Sequence, residues 1–182
     1  MLNVKRLNEL SKKQKVTVEQ IAEHLVRGGF DRDDALRAVK NWKRSLFKPA
    51  PSIKDIKQIA TALSATETEL KEWKSSCRYA PSACRKTKLV TQLIVGRNVQ
   101  DALDVLKFTE KRAATIINKV LKAAIADADE QNADIDKLFV TRAYVDDAGI
   151  RIATKRFRAK DRGKAYRILQ KASHIHVCIA EA

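Results

Sequence analysis

The sequence is poor in the residues that build catalytic and membrane-spanning structures. Aromatics make up 5% of its 182 residues, and it has five glycines, three prolines and three cysteines. No Gly-rich phosphate loop, dinucleotide fingerprint or nucleophile elbow occurs, so no enzyme, catalytic residue or cofactor is expected. Cys77, Cys84 and Cys178 are odd in number and lack CxxC spacing, which predicts reduced thiols in a cytoplasmic protein. No apolar run approaches the roughly 20 residues of a membrane span, and no signal-type apolar segment opens the sequence. Acids are also scarce: 22 Asp and Glu face 37 Lys and Arg, for a net charge of +15 and a pI near 9.9. That balance fits a nucleic-acid binder better than a small-molecule enzyme. Binding to an anionic membrane would call for an amphipathic helix with a basic polar face, whereas the predicted helices are balanced in sign.

Two groupings mimic sites and are set aside. His174, His176 and Cys178 share one face of a predicted strand, but an extended strand splays them about 7 Å apart, too far for one metal ion. They read as a solvated face, and no metal site is expected. Asp146-Asp147 and Asp31, Asp33 and Asp34 fall in predicted turns and caps, with no partner base.

The cations concentrate between Arg151 and Lys171, where nine Lys or Arg accompany a single acid, Asp161. Such a density is too costly to bury. Ile150, Ile152, Phe157, Tyr166, Ile168 and Leu169 are interleaved with the charges, and Gly163 sits where a hairpin must reverse. The segment from about 145 to 173 reads as a long β-hairpin, two arms of about 13 residues projecting some 40 Å at roughly 3.3 Å per residue. A ribbon of that length has no core of its own, so a polyanionic partner must complete it.

Residues 1–75 read as an all-helical unit. Leu7 and Leu10 share a helix, Thr17 caps a second with Ile21, Ala22 and Leu25, and Gly28-Gly29 ends it. Asp31 caps a third helix with Ala35, Leu36, Val39 and Trp42. Ser52 caps a fourth with Ile56, Ile59, Ala60 and Leu63, and Thr66 with Glu69 predicts a last helical turn to Trp73. The stretches Thr-Val-Glu-Gln-Ile-Ala at 17–22, Val-Lys-Asn-Trp at 39–42 and Ile-Lys-Gln-Ile-Ala-Thr-Ala-Leu at 56–63 resemble the helix-turn-helix domain of the lambda-repressor and Cro type. The match fails where DNA would be read, because the third helix opens on Asp31, Asp33 and Asp34, which repel phosphate.

The segment Ser75–Pro81 predicts a linker. Beyond it, Leu89, Val90, Leu93 and Ile94 mark a helix stopped by Gly96, and Asn98 caps one with Ala102, Leu103 and Leu106. Thr109 caps the most regular helix, in which Ala113, Ile116, Ile117, Val120, Leu121, Ala124, Ile125 and Ala128 form one apolar stripe. Leu138–Val145 and His174–Ala180 read as strands. From 76 to 150 the charge is nearly balanced, with 12 basic and 10 acidic residues. The hairpin carries the charge.

Eight motifs in order then produce a resemblance. They are Arg78-Tyr79, Arg85-Lys86-Thr87-Lys88-Leu89-Val90, Leu93-Ile94-Val95-Gly96, Thr109-Glu110-Lys111-Arg112-Ala113-Ala114, Lys119-Val120-Leu121-Lys122-Ala123-Ala124, Ala143-Tyr144-Val145-Asp146, Arg162-Gly163-Lys164-Ala165 and Ser173-His174-Ile175. Over residues 77–182 the chain resembles the bacterial large-subunit ribosomal protein twenty-two family. The resemblance implies an α+β fold, with three helices on a small antiparallel sheet and a long protruding hairpin. It implies a structural constituent of the large ribosomal subunit that binds ribosomal RNA, touches neighbouring ribosomal proteins, and lines the nascent-peptide exit tunnel. Lys155, Arg156, Phe157, Arg158, Lys160, Arg162, Gly163 and Lys164 would be the tip and its RNA contacts, with Arg151, Arg167 and Lys171 along the arm. Arg85, Lys86 and Lys88 would be basic contacts at the base. Ala159 stands where the family usually has proline and Asp161 where it has a small neutral residue. The predicted turn after Asp146-Asp147 is about three residues longer than the family's, and Pro81 is expected to shorten the first strand. The family does not ordinarily carry residues 1–75, for which a DNA-binding regulator is the alternative reading.

Overall fold

The computed structural model describes residues 1–27, 31–151 and 156–181, with only the backbone at Arg27. The predicted break at Gly28-Gly29 lies outside the described residues. The chain forms two compact units, Met1–Glu72 with Ala180–Ala182, and Trp73–Ile179.

The first unit contains α1 (Val4–Lys13), α2 (Val18–Arg27), α3 (Arg32–Lys43) and α4 (Ile53–Ala62). Polar residues fix three of the helix starts. Asn3 Oδ1 accepts the Arg6 N–H at 3.2 Å, Thr17 and Gln20 exchange backbone-to-side-chain bonds, and the Ser52 N–H donates to Asp55 Oδ2 at 2.8 Å. Asp31 occupies the N-cap of α3 but makes no side-chain cap bond. α2 packs on α3 and α4, and α1 packs on α3. Leu7, Ile21, Leu25, Val39, Trp42, Ile59 and Leu63 fill the space between them and are buried. Full burial of such side chains contributes about 1.5–3 kcal/mol each. The predicted last helical turn is corrected: residues 67–70 form turns. Leu70 is drawn into the core and Lys71 pairs with Leu2, so extended backbone wins over the local capping signal.

The second unit holds β1 (Glu72–Ala80), α5 (Cys84–Ile94), α6 (Val99–Phe108), α7 (Arg112–Asp129), β2 (Leu138–Ile150), β3 (Arg156–Ala159), β4 (Ala165–Ile168) and β5 (Lys171–Glu181). Helices and strands segregate along the chain, an α+β arrangement. The three-stranded sheet has the order β1-β5-β2, and β3 pairs with β4 separately. α5 and α6 pack on β2, and α7 packs on α5 and α6. Ala113, Ile117, Val120, Leu121, Ala124 and Ala128 of the α7 stripe share one buried core with Ile175, Val177 and Ile179 of β5. α5 ends before Gly96, whose φ of +79° suits glycine and whose N–H donates to Val140 O at 2.8 Å.

Three further expectations are corrected. The supposed linker is β1, because Trp73 and Cys77 turn toward the core with strand periodicity, and the strand stops at Ala80, immediately before Pro81. Thr109 does not cap α7: its Oγ1 donates back to Val105 O at 2.7 Å, and Lys111 holds the N-cap position. Asp146-Asp147 is not a turn, since β2 continues to Ile150. The Asp147 carboxylate accepts the Gly149 N–H at 2.9 Å, and Gly149 has a φ of +77°.

The face carrying His174, His176 and Cys178 is also less solvated than expected. Cys178 is buried, the Tyr79 N–H donates to His174 Nδ1 at 3.2 Å, and His176 stacks on Tyr144 with ring centroids 4.7 Å apart. Burial holds the His176 imidazole below its usual pKa of 6.5, and Lys74 adds to this against the weaker opposing pull of Asp146. The unfolded chain therefore binds this proton at higher pH than the folded one, and stability is lost as pH falls below about 6.5. Urea midpoints are expected to drop between about pH 7 and pH 5, and His176→Gln is expected to flatten that slope.

Candidate nucleic-acid interface

β3 and β4 form an antiparallel ladder in which Arg156 faces Ile168, Phe157 faces Arg167, Arg158 faces Tyr166, and Ala159 faces Ala165. Opposed residues share a face and successive residues alternate. One face therefore carries Arg156, Arg158, Tyr166 and Ile168, and the other carries Phe157 and Arg167. Every residue of both strands is exposed, Phe157 at 59% and Tyr166 at 51%. A ribbon packed on its own domain would show one apolar and one polar face. This ladder has an aromatic beside a guanidinium on both.

The reversal is tight. The Lys160 N–H donates to Lys164 O at 3.0 Å, and Arg162 and Gly163 both adopt left-handed backbone, with φ of +55° and +71°. Lys160 Nζ lies 5.0 Å from the centre of the Tyr166 ring. A Cβ at position 163 would meet nothing within 4 Å, so Gly163→Ala tests backbone strain alone. It is expected to weaken the hairpin by about 1 kcal/mol, read as faster hydrogen exchange at Lys160 and Lys164.

At the root of the arm, the Arg151 N–H donates to Gln170 O at 2.8 Å. Arg151 and Lys171 border a groove of about 690 Å³, also lined by Lys86 on α5 and by Glu110, Lys111 and Arg112 at the start of α7. Neither Ala83 before α5 nor Lys111 before α7 supplies a side-chain cap, so both helix starts add positive potential to the cations. Arg85 and Lys88 are exposed on the same helix as Lys86. The groove thus gathers three predicted residues, Lys86, Arg151 and Lys171. It adds Lys111 and Arg112, which lie in the Thr109–Ala114 motif and outside the contacts that the resemblance implies. Arg156, Phe157, Arg158, Lys160, Arg162, Gly163, Lys164 and Arg167 all lie on the β3–β4 ladder and its turn. Lys155 lies outside the described residues.

A family model described as ribosomal protein L22p/L17e matches residues 75–180. The chain belongs to that family. Membership makes it a structural constituent of the ribosome rather than an enzyme. The match begins inside β1 and ends in β5, so it takes in the sheet, α5 to α7 and the β3–β4 ladder. Residues 1–74 stand outside it. Among the described residues no helix is long and apolar enough to cross a membrane.

Proposed function

We propose that the chain binds large-subunit ribosomal RNA and lines the nascent-peptide exit tunnel with a single long hairpin, about residues 145–173. The observation that carries this reading is the two-faced ladder. Cations and aromatics on both sides suit an arm surrounded by RNA, where guanidinium groups meet phosphates and rings stack on unpaired bases. The tip, Arg156 to Lys164 together with Lys155, would meet RNA and the passing nascent peptide. Arg151, Arg167 and Lys171 would follow the arm, and Arg85, Lys86 and Lys88 would hold the base, beside neighbouring ribosomal proteins. Residues 1–75 form a separate domain of helix-turn-helix type near the particle surface, and 76–182 form the ribosomal domain, both working in the cytoplasm.

In-cell UV crosslinking with sequencing tests the reading. Peptides from 151–171 are expected to carry large-subunit ribosomal RNA, and purified large subunits are expected to hold the chain at unit stoichiometry. Recovery of discrete DNA sites by residues 1–75, with no chain in the subunit, would instead establish a regulator.

A further inference from the structure

The helical unit lies outside the family match, and its charge is polarised along α3. Asp31, Asp33 and Asp34 are exposed at the helix start, partly offset by Arg32 among them and by Arg37, whose guanidinium lies 3.9 Å from the Asp34 carboxylate, so this end is weakly acidic while the other is strongly basic. From Lys40 to Lys54 the chain carries Lys40, Lys43, Arg44, Lys48 and Lys54 and no acid. The next acid, Asp55, is buried and accepts the Ser52 N–H. A helix of 12 residues is about 18 Å long at 1.5 Å per residue, so the two poles are well separated.

Helix dipoles explain part of this pattern. Lys40 and Lys43 sit in the last turn of α3, where cations are favoured. Lys54 does not fit, because it lies in the first turn of α4, where a cation is disfavoured. Lys48 is in the intervening loop. The helix dipoles do not account for the cations at these two positions.

The loop is also held in shape. Asn41 Nδ2 donates to Lys48 O at 2.7 Å, Trp42 Nε1 to Pro49 O at 2.6 Å, and the Leu46 N–H to Asn41 O at 2.8 Å. Ser45 adopts a φ of +63° within it. Leu46 and Ile53 project from this surface at 53% and 66% exposure. A pre-ordered cationic surface with isolated apolar contacts binds with little further ordering cost.

We infer that Lys40–Lys54 is a second docking surface for RNA backbone, through which the helical unit grips ribosomal RNA by the end of α3 opposite to the one a helix-turn-helix protein presents to DNA. The inference rests on the proposed RNA-binding role of the arm. Covalent linkage then keeps this surface at high effective concentration near the same RNA. Duplex reading would place the carboxylates of Asp31, Asp33 and Asp34 against phosphate.

The test uses the full chain and purified large-subunit ribosomal RNA. Photocrosslinks are mapped by peptide, and affinity is followed against salt. The variant Arg44→Gln/Lys48→Gln/Lys54→Gln changes exposed side chains and leaves the loop's backbone acceptors in place. It is expected to remove RNA crosslinks from 40–54, keep those from 156–168, and reduce the log–log salt slope by about 2–3. Asp31→Asn/Asp33→Asn/Asp34→Asn is expected to leave the 40–54 crosslinks intact. If the triple glutamine variant loses helical circular dichroism, Lys48→Gln/Lys54→Gln, which leaves α3 untouched, is read instead, with an expected slope loss of about 1.4–1.8. Persistent arm crosslinks with none from 40–54, and an unchanged slope, overturn this inference while sparing the arm's role. Loss of both sets in the unmodified chain overturns the two together. Crosslinks from 40–54 to an acidic protein in assembled subunits, in place of RNA, also overturn it.

Discussion

Replacing Trp42 with alanine is expected to destabilise the N-terminal helical unit by about 3–5 kcal/mol, the range for truncating a large aromatic in a packed core. Trp42 is fully buried among Leu7, Ile21, Leu25 and Val39, and its Nε1 donates to Pro49 O at 2.6 Å. Truncation therefore removes apolar contact, leaves a cavity, and deprives the loop after α3 of one of its ties. Trp42→Phe separates these effects, since it keeps much of the packing and loses the hydrogen bond. Ile53→Ser is the control: Ile53 is 66% exposed, and a change within about 0.5 kcal/mol is expected. Native-state hydrogen exchange of α1 to α4 in the full chain reads the outcome. A loss below about 1 kcal/mol for Trp42→Ala would mean that the unit's core does not depend on this ring.

The parts of the fold legible in the sequence are those set by local periodicity. The α7 stripe and the faces of α1 to α4 repeat at helical spacing, and a helix needs nothing distant to reveal its buried side. β1 was illegible because Ser75-Ser76 and Pro81 look like loop, while its strand character depends on β5, far along the chain. Thr109 shows the same limit at shorter range, since a hydroxyl at a helix start can equally bond the preceding helix. The cation density from Arg151 to Lys171 was visible as composition. Which side chains share a face depended on register, and a shift of one residue would exchange the faces. The groove was hidden for a simpler reason. Lys86, Lys111, Arg112, Arg151 and Lys171 come from four separate places in the sequence that only the packed unit brings together.

Charge and ring substitutions in the arm are expected to change RNA binding in two distinguishable ways. Each guanidinium that neutralises a phosphate contributes about 0.7–0.9 to the log–log salt slope. Arg156→Gln/Arg158→Gln strips one face of the ladder of its arginines and is expected to lower the slope by about 1.4–1.8. Arg167→Gln acts on the other face, and a loss of about 0.7–0.9 is expected. An arm with RNA on one side alone would show slope loss for one of these variants and none for the other. Phe157→Ala and Tyr166→Ala remove rings from opposite faces, and each is expected to weaken binding by about 1–3 kcal/mol if it stacks on a base. Stacking releases no counterions, so the slope is expected to stay constant while the affinity falls at every salt concentration. For Tyr166 the ring also lies under Lys160, so Tyr166→Phe, which keeps the ring face, is expected to retain most of the affinity. Filter binding of the full chain to large-subunit ribosomal RNA over a range of salt reads both quantities. Equal per-charge slopes from the two faces, with salt-independent losses for both rings, are what an arm enclosed by RNA requires.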